Sequence, residues 1–344
     1  MPASLAFSMS ANLAARTLEL VDIQSESRSE AAIVDYVRHA IPADASYDDD
    51  TVLLYGEGAQ VLLAGHLDTV PAQENLPGRI DDGWVAGLGA SSIMTAIPPF
   101  MIELARAGAP FGYLFFGREE LAADESPIPE LFARTTIGAQ LVVVLEPTDN
   151  TIQAGCLGNV NATLRFRGVS AHSARPWTGE NAIAAAVEGL APVVRIPPEP
   201  VEVEGLEFVE VVTVTGIRGG VALNVVPDLV TCDLNYRFAP NRTTDEAEAR
   251  LRELVPGELE ITSNAPAGRV AARSPLVQRL ADTGGFSVEP KQAWTPVAEF
   301  TSRGLDAVNF GPGATRYAHR RDERVEIASL ERCFEAFQRF GSVR

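Results

Sequence analysis

The residues best suited to chemistry stand at the ends of apolar runs. His66 and Asp68 close "VLLAGHLDTVP", Glu119 and Glu120 close "FFGREE", Glu146 closes "VVVLEPT", and His319 follows "FGPGATRYAH". Along an extended chain, positions two apart point to the same side, so His66 and Asp68 face together. A lone His-x-Asp pair reads as a capped strand end with one satisfied histidine. The chain has only four histidines (His39, His66, His172, His319), and two of them fall after strand-like runs. Two imidazoles and several carboxylates converging at one sheet edge are ligands of the zinc type.

Such a convergence requires a sheet whose strands end together. "TVLLYG", "QVLLAGHLD", "GYLFFGREE" and "QLVVVLEPT" are short continuous apolar runs, the pattern of strands buried on both faces. Helical spacing in "ANLAARTLELVDI", "SEAAIVDYVRHAI" (Ser29 as N-cap) and "SIMTAIPPFMIELARAG" separates them, with Pro98 and Pro99 set to kink or delay the last helix. This alternation predicts an α/β domain with a mostly parallel sheet, and open sheets of that kind place their sites at strand ends. After "IQAGCLGN" the order becomes β-α-β-β-α-β, the ferredoxin-like split unit, before the α/β pattern resumes at "SPLVQRLADTGG". The expected division is a catalytic domain of residues 1–158 and 266–344, interrupted by an inserted domain of residues 159–265.

Bulk properties narrow the function. At 344 residues two domains are the default, and 46% hydrophobic with 22% charged residues is a globular composition. A net charge of −18 argues against nucleic acid or an anionic membrane as partner. The three cysteines, Cys156, Cys232 and Cys333, are odd in number and far apart, so no disulfide framework is expected. The N-terminus lacks a basic region followed by an apolar one, and no apolar run is long enough to span a bilayer, so a cytoplasmic location is expected.

Taken together, "GHLDTVP", "GLGA", "EE", "LEPT", "AGCLGN", "RGVSAHSARPWTGENAI", "NVVPDL", "NYRFAPNR", "AWT" and "NFGPG…AHRRDE" resemble the co-catalytic zinc aminoacylase and carboxypeptidase-type metallopeptidase family. Within it the chain is most similar to succinyl-diaminopimelate desuccinylases of the actinobacterial kind. The resemblance implies an amidohydrolase that cleaves an N-acyl amino acid, N-succinyl-LL-2,6-diaminopimelate above all, on the route to lysine. It implies one or two zinc ions per subunit, with cobalt able to substitute, and a homodimer formed through the inserted domain. Matched motif by motif, His66 and Glu146 would bind one metal, and Glu120 and His319 the other. Asp68 would orient His66, Glu119 would be the general base, and His172 would steady the oxyanion in a partner's site. Asn224 and Arg237 match positions that hold substrate carboxylate, with Arg175 and Thr295 as further substrate contacts.

Two positions depart from the pattern. Ser92, in "GLGASSIMTA", stands where the family has an aspartate bridging two metals about 3.5–4 Å apart. Asp81 and Asp82 do not compensate, since they precede "GWVAG" in a hairpin turn. Glu299, in "TPVAEF", stands where close relatives have an arginine facing the substrate. A catalytically impaired paralogue that serves in binding or regulation, and a one-metal hydrolase of another N-acyl amino acid, are therefore the alternatives.

Overall fold

The computed structural model describes residues 3–91, 97–121 and 125–342. They divide into two units: Met1–Gly155 with Ala271–Glu289 and Glu299–Arg344, and Cys156–Val270 with Pro290–Ala298. The first is built on an eight-stranded sheet. Its central strands, Val61–His66, Gly112–Phe116, Leu141–Val144 and Asp306–Asn309, run parallel, with Val61 opposite Leu141 and Asp306 opposite Leu141 on its other side. The apolar runs of the first three are buried throughout. Antiparallel partners flank this centre, Val52–Tyr55 on one side and Ile152–Cys156 on the other. His66, Glu119, Glu120 and Glu146 thus all leave the same, C-terminal edge of the sheet.

An aromatic cluster locks the helix Ile327–Ser342 to this sheet. Phe337 is fully buried, stacked 5.6 Å from Phe100, and packed 5.8 Å from Phe111 and 5.6 Å from Phe310. Truncating a ring in such a core removes both transfer free energy and packing. Phe337→Ala is expected to cost about 3–5 kcal/mol, read from the shift of the urea midpoint.

The helix Ala31–Ala40 is capped differently from expectation. Its N-cap is Glu30, not Ser29, and the Glu30 side chain makes no cap bond. That buried carboxylate instead accepts the N–H groups of Arg28 (2.9 Å) and Arg118 (3.2 Å), so it ties the helix start to the end of the Gly112–Phe116 strand. The predicted "SIMTAIPPFMIELARAG" helix is described from Ile97 to Arg106, with both prolines in its first turn, where an absent N–H costs nothing. Asp81 pairs with Trp84 across a tight turn in which Asp82 (φ 44°) and Gly83 (φ 80°) are left-handed.

The second unit has a five-stranded antiparallel sheet with two helices on one face. Four strands (Gly158–Arg167, Leu206–Gly219, Leu229–Phe238 and Glu258–Ala265) and two helices (Ala182–Val193 and Thr244–Leu254) follow the ferredoxin-like order. Burial alternates strictly along Gly158–Arg167 and Leu229–Phe238, as it must when one face is covered by helices. The fifth strand, Glu199–Val203, was not expected, because Pro200 and alternating glutamates suit only a sheet edge. It pairs with residues 206–210 only, so residues 211–219 have no strand on that side among those described.

Candidate metal centre and active site

Asp68 organises the site through all its acceptor positions. Its Oδ1 accepts from His66 Nδ1 (3.1 Å) and from the N–H of Glu119 (3.0 Å). Its Oδ2 accepts from Ser27 Oγ (2.7 Å) and from the N–H of Glu120 (3.1 Å). One fully buried carboxylate therefore fixes the His66 ring and the backbone of both glutamates. Burial works against its charge, but the His66 hydrogen bond and charge, Ser27 and the Glu119 N–H outweigh this and hold its pKa down at about 2.

With Nδ1 committed to Asp68, His66 turns Nε2 toward the other carboxylates. Nε2 is buried, has no hydrogen-bond partner among the described residues, and lies 3.8 Å from Glu119 Oε2. Burial lowers the His66 pKa, yet the Asp68 hydrogen bond and the Glu119 charge more than reverse this and raise it to about 10. Glu119 is pushed upward by burial and by the charges of Glu146, Glu120 and Asp68, against the pull of His66. Glu120 accepts from His319 Nε2 at 2.8 Å, and the His319 pKa is raised chiefly by that bond. His319 itself is held at φ 59°, a left-handed conformation uncommon outside glycine. Glu146 is buried just past the strand Leu141–Val144. A Cβ on Gly311 would lie 2.7 Å from the Glu146 carbonyl oxygen, so only glycine lets the "NFGPG" segment pass there.

These residues suit a divalent cation. Ligand atoms of His66, Glu119 and Glu120 lie within 4.8 Å of one another. An unpartnered imidazole nitrogen beside crowded carboxylates is the donor set that zinc-type ions take. This grouping differs from the partition implied by the resemblance, because it takes in Glu119 and leaves Glu146 and His319 beside it. Removing the Asp68 charge would free both the His66 ring and the glutamate backbone. Asp68→Asn is expected to weaken zinc binding about 10–100-fold, measured by competition with a chelating dye; unchanged affinity would refute its orienting role.

The remaining predicted residues are placed as follows. Ser92 lies outside the described residues. His172, Arg175 and Asn224 come together in the second unit, where the Ser173 N–H donates to the Asn224 carbonyl (2.9 Å) and the Arg175 N–H to the His172 carbonyl (2.8 Å). His172 Nδ1 accepts from the Ala174 N–H at 3.1 Å. Arg237, also in that unit, is half-buried and donates through Nε to Asn235 Oδ1 (2.9 Å). Thr295 is buried. Glu299, in the first unit, accepts from Ser126 Oγ (2.8 Å), and burial raises its pKa. Sequence reasoning missed Glu30, Ser27 and Glu323 as supports of the site, since nothing in their local spacing marks them.

The comparisons with known proteins give the class, a metal-dependent hydrolase of amides. A peptidase dimerisation domain of the M20 type matches residues 155–262. A Mycobacterium tuberculosis protein named for succinyl-diaminopimelate desuccinylase is 33% identical over 340 residues, covering 94% of this chain and 96% of its own. The succinyl-diaminopimelate desuccinylase of Corynebacterium glutamicum is 31% identical over 345 residues, covering 91% and 92%. The crystal structure of aminopeptidase PepT from Bacillus cereus superposes with a TM-score of 0.76 over 97% of this chain and 99% of that one, at 18% identity. The chain belongs to the M20 metallopeptidase family; its curated relatives include these desuccinylases and, at 25–26% identity, proteins named as probable carboxypeptidases. No helix among the described residues is long and apolar enough to cross a membrane.

Proposed function

We propose that this protein is a zinc-dependent amidohydrolase that converts N-succinyl-LL-2,6-diaminopimelate to succinate and LL-diaminopimelate. The observation that carries the chemistry is the Asp68-held cluster of His66, Glu119 and Glu120. The substrate follows from the relatives' names together with 33% identity along nearly the whole chain. His66 and Glu120, with Glu146 and His319 beside them, would hold the metal. When bound, it would lower the pKa of water toward neutrality and polarise the amide carbonyl. Glu119, whose raised pKa suits proton exchange near neutral pH, takes a proton from the attacking water and delivers it to the leaving nitrogen. The hydroxyl joins the carbonyl carbon, the C–N bond breaks, and a carboxylate and an amine result. Arg237 and Asn224 would hold substrate carboxylate, Arg175 and Thr295 would contact the substrate, and His172 would stabilise the oxyanion in a partner's site.

A second reading is a hydrolase with one tightly held metal, favoured by the single metal-sized group among the described residues and by Ser92 at the bridging position. Succinate release from N-succinyl-LL-2,6-diaminopimelate, with zinc counted on the same sample before and after chelation, tests the proposal. Activity lost on chelation and restored by zinc supports it. Activity only on other N-acyl amino acids would overturn the substrate, and bound zinc without any hydrolysis would overturn the reaction.

The second unit offers the surface for a homodimer. Ile183 and Val187 on the helix Ala182–Val193, with Val194 at its C-cap, are exposed apolar residues, while Ile217 and Val221 are exposed beside the strand edge left unpaired among the described residues. Exposed apolar groups rimming an unpaired edge are a site for strand addition. Val187→Glu combined with Ile217→Lys is expected to convert the dimer to a monomer in light scattering; a monomeric wild type would refute the assembly.

A further inference from the structure

Among the buried carboxylates that the mechanism does not use, Glu323 lies nearest the ligand residues in sequence. Glu323 is 1% exposed, yet it lies four residues past His319, at the edge of the site. Its Oε2 accepts the Gly89 N–H and its Oε1 the Ser91 N–H, both at 3.1 Å, and its carbonyl accepts the Gly87 N–H at 3.0 Å. A single residue therefore binds three alternate amides of the segment Gly87–Ser91. The same segment is held from the other side by Ser91 Oγ donating to the Ala314 carbonyl (2.9 Å). Gly313, at φ 83°, packs so closely that a Cβ there would lie 3.0 Å from the Ser91 carbonyl oxygen.

We infer that Glu323 is a positioning residue: its buried carboxylate fixes the Gly87–Ser91 segment against the segment carrying His319. A surface acid could not do this, because water would compete for both amides. Burial of a charge is costly unless it is bonded, and here both oxygens are. The inference rests on the metal-hydrolase reading only for its functional consequence, since the backbone restraint is independent of any metal.

The test uses Glu323→Gln, which keeps the shape but turns an NH2 toward one of the amides, and Glu323→Asp, which keeps the charge but shortens the reach. Phe337→Ala serves as a variant weakened in the core alone. Hydrogen exchange on the metal-free proteins should show Gly89 and Ser91 exchanging at least about tenfold faster in Glu323→Gln than in wild type or Phe337→Ala. Zinc affinity should fall at least about tenfold in Glu323→Gln and be unchanged in Phe337→Ala. If Glu323→Gln does not fold, the same two readouts are made on Glu323→Asp. Exchange at Gly89 and Ser91 equal to that of Phe337→Ala would overturn the restraint. Faster exchange with wild-type zinc affinity would overturn its service to the site. A wild type that binds no zinc would refute the metal-hydrolase reading, leaving the exchange result to decide the restraint.

Discussion

Glu119→Gln is expected to lower turnover about 10²–10⁴-fold while the protein still folds and still binds zinc. The substitution is nearly isosteric and leaves the Glu119 N–H on Asp68, so the backbone of the site is undisturbed. An amide oxygen can still serve near His66 and Glu120 as a neutral acceptor or metal ligand. It cannot accept and return a proton. The effect should therefore lie in kcat, with KM nearly unchanged, because the lost interaction acts in the transition state. Burial and the charges of Glu146, Glu120 and Asp68 already keep Glu119 largely protonated near neutral pH in the metal-free protein, so a neutral glutamine replaces a neutral acid and the thermal midpoint should hold. Zinc content on the assayed sample separates the cases. Near-normal turnover with zinc bound would show that another group moves the proton.

Ser92→Asp should act in the opposite direction. Two divalent cations about 4 Å apart repel with roughly four times the ~4 kcal/mol of unit charges at an effective dielectric near 20. A shared carboxylate offsets much of that, and a neutral serine does not. The wild type should therefore hold its second zinc weakly, and Ser92→Asp should raise stoichiometry toward two and turnover by about tenfold or more. Ser92→Asp with Glu119→Gln should gain the metal without the activity, which separates metal loading from proton transfer. Two zinc ions already bound to the wild type with unchanged affinity in Ser92→Asp would mean that some other residue bridges them.

Much of the site was legible because strand geometry is local. The pairing of His66 with Asp68 follows from two-residue periodicity, and the common edge follows from apolar runs that each end in a ligand-type residue. The ferredoxin-like order of the second unit was legible for the same reason, since its alternation is regular. What stayed hidden depends on contacts between distant segments. Asp68 reaches the Glu119 and Glu120 amides across more than fifty residues, and Glu323 reaches Gly89 and Ser91 across more than two hundred. Acidic residues are common on surfaces, so no local pattern separates a buried clamp such as Glu30 from a solvated side chain. The Glu199–Val203 strand was obscured by Pro200, which is tolerated there only because the strand is an edge.

The open edge along residues 211–219 bears on how this protein fails. If the proposed dimer parts on dilution, each protomer would display a row of peptide groups that, among the described residues, have no strand partner, beside Ile217 and Val221. Such a row recruits other chains by the same strand addition that would make the dimer, without the symmetry that stops at two. Long-range repulsion from the net charge of −18 opposes this, and salt weakens that repulsion. Precipitation would then begin from intact, separated subunits, and it would be hastened by ionic strength rather than by heat.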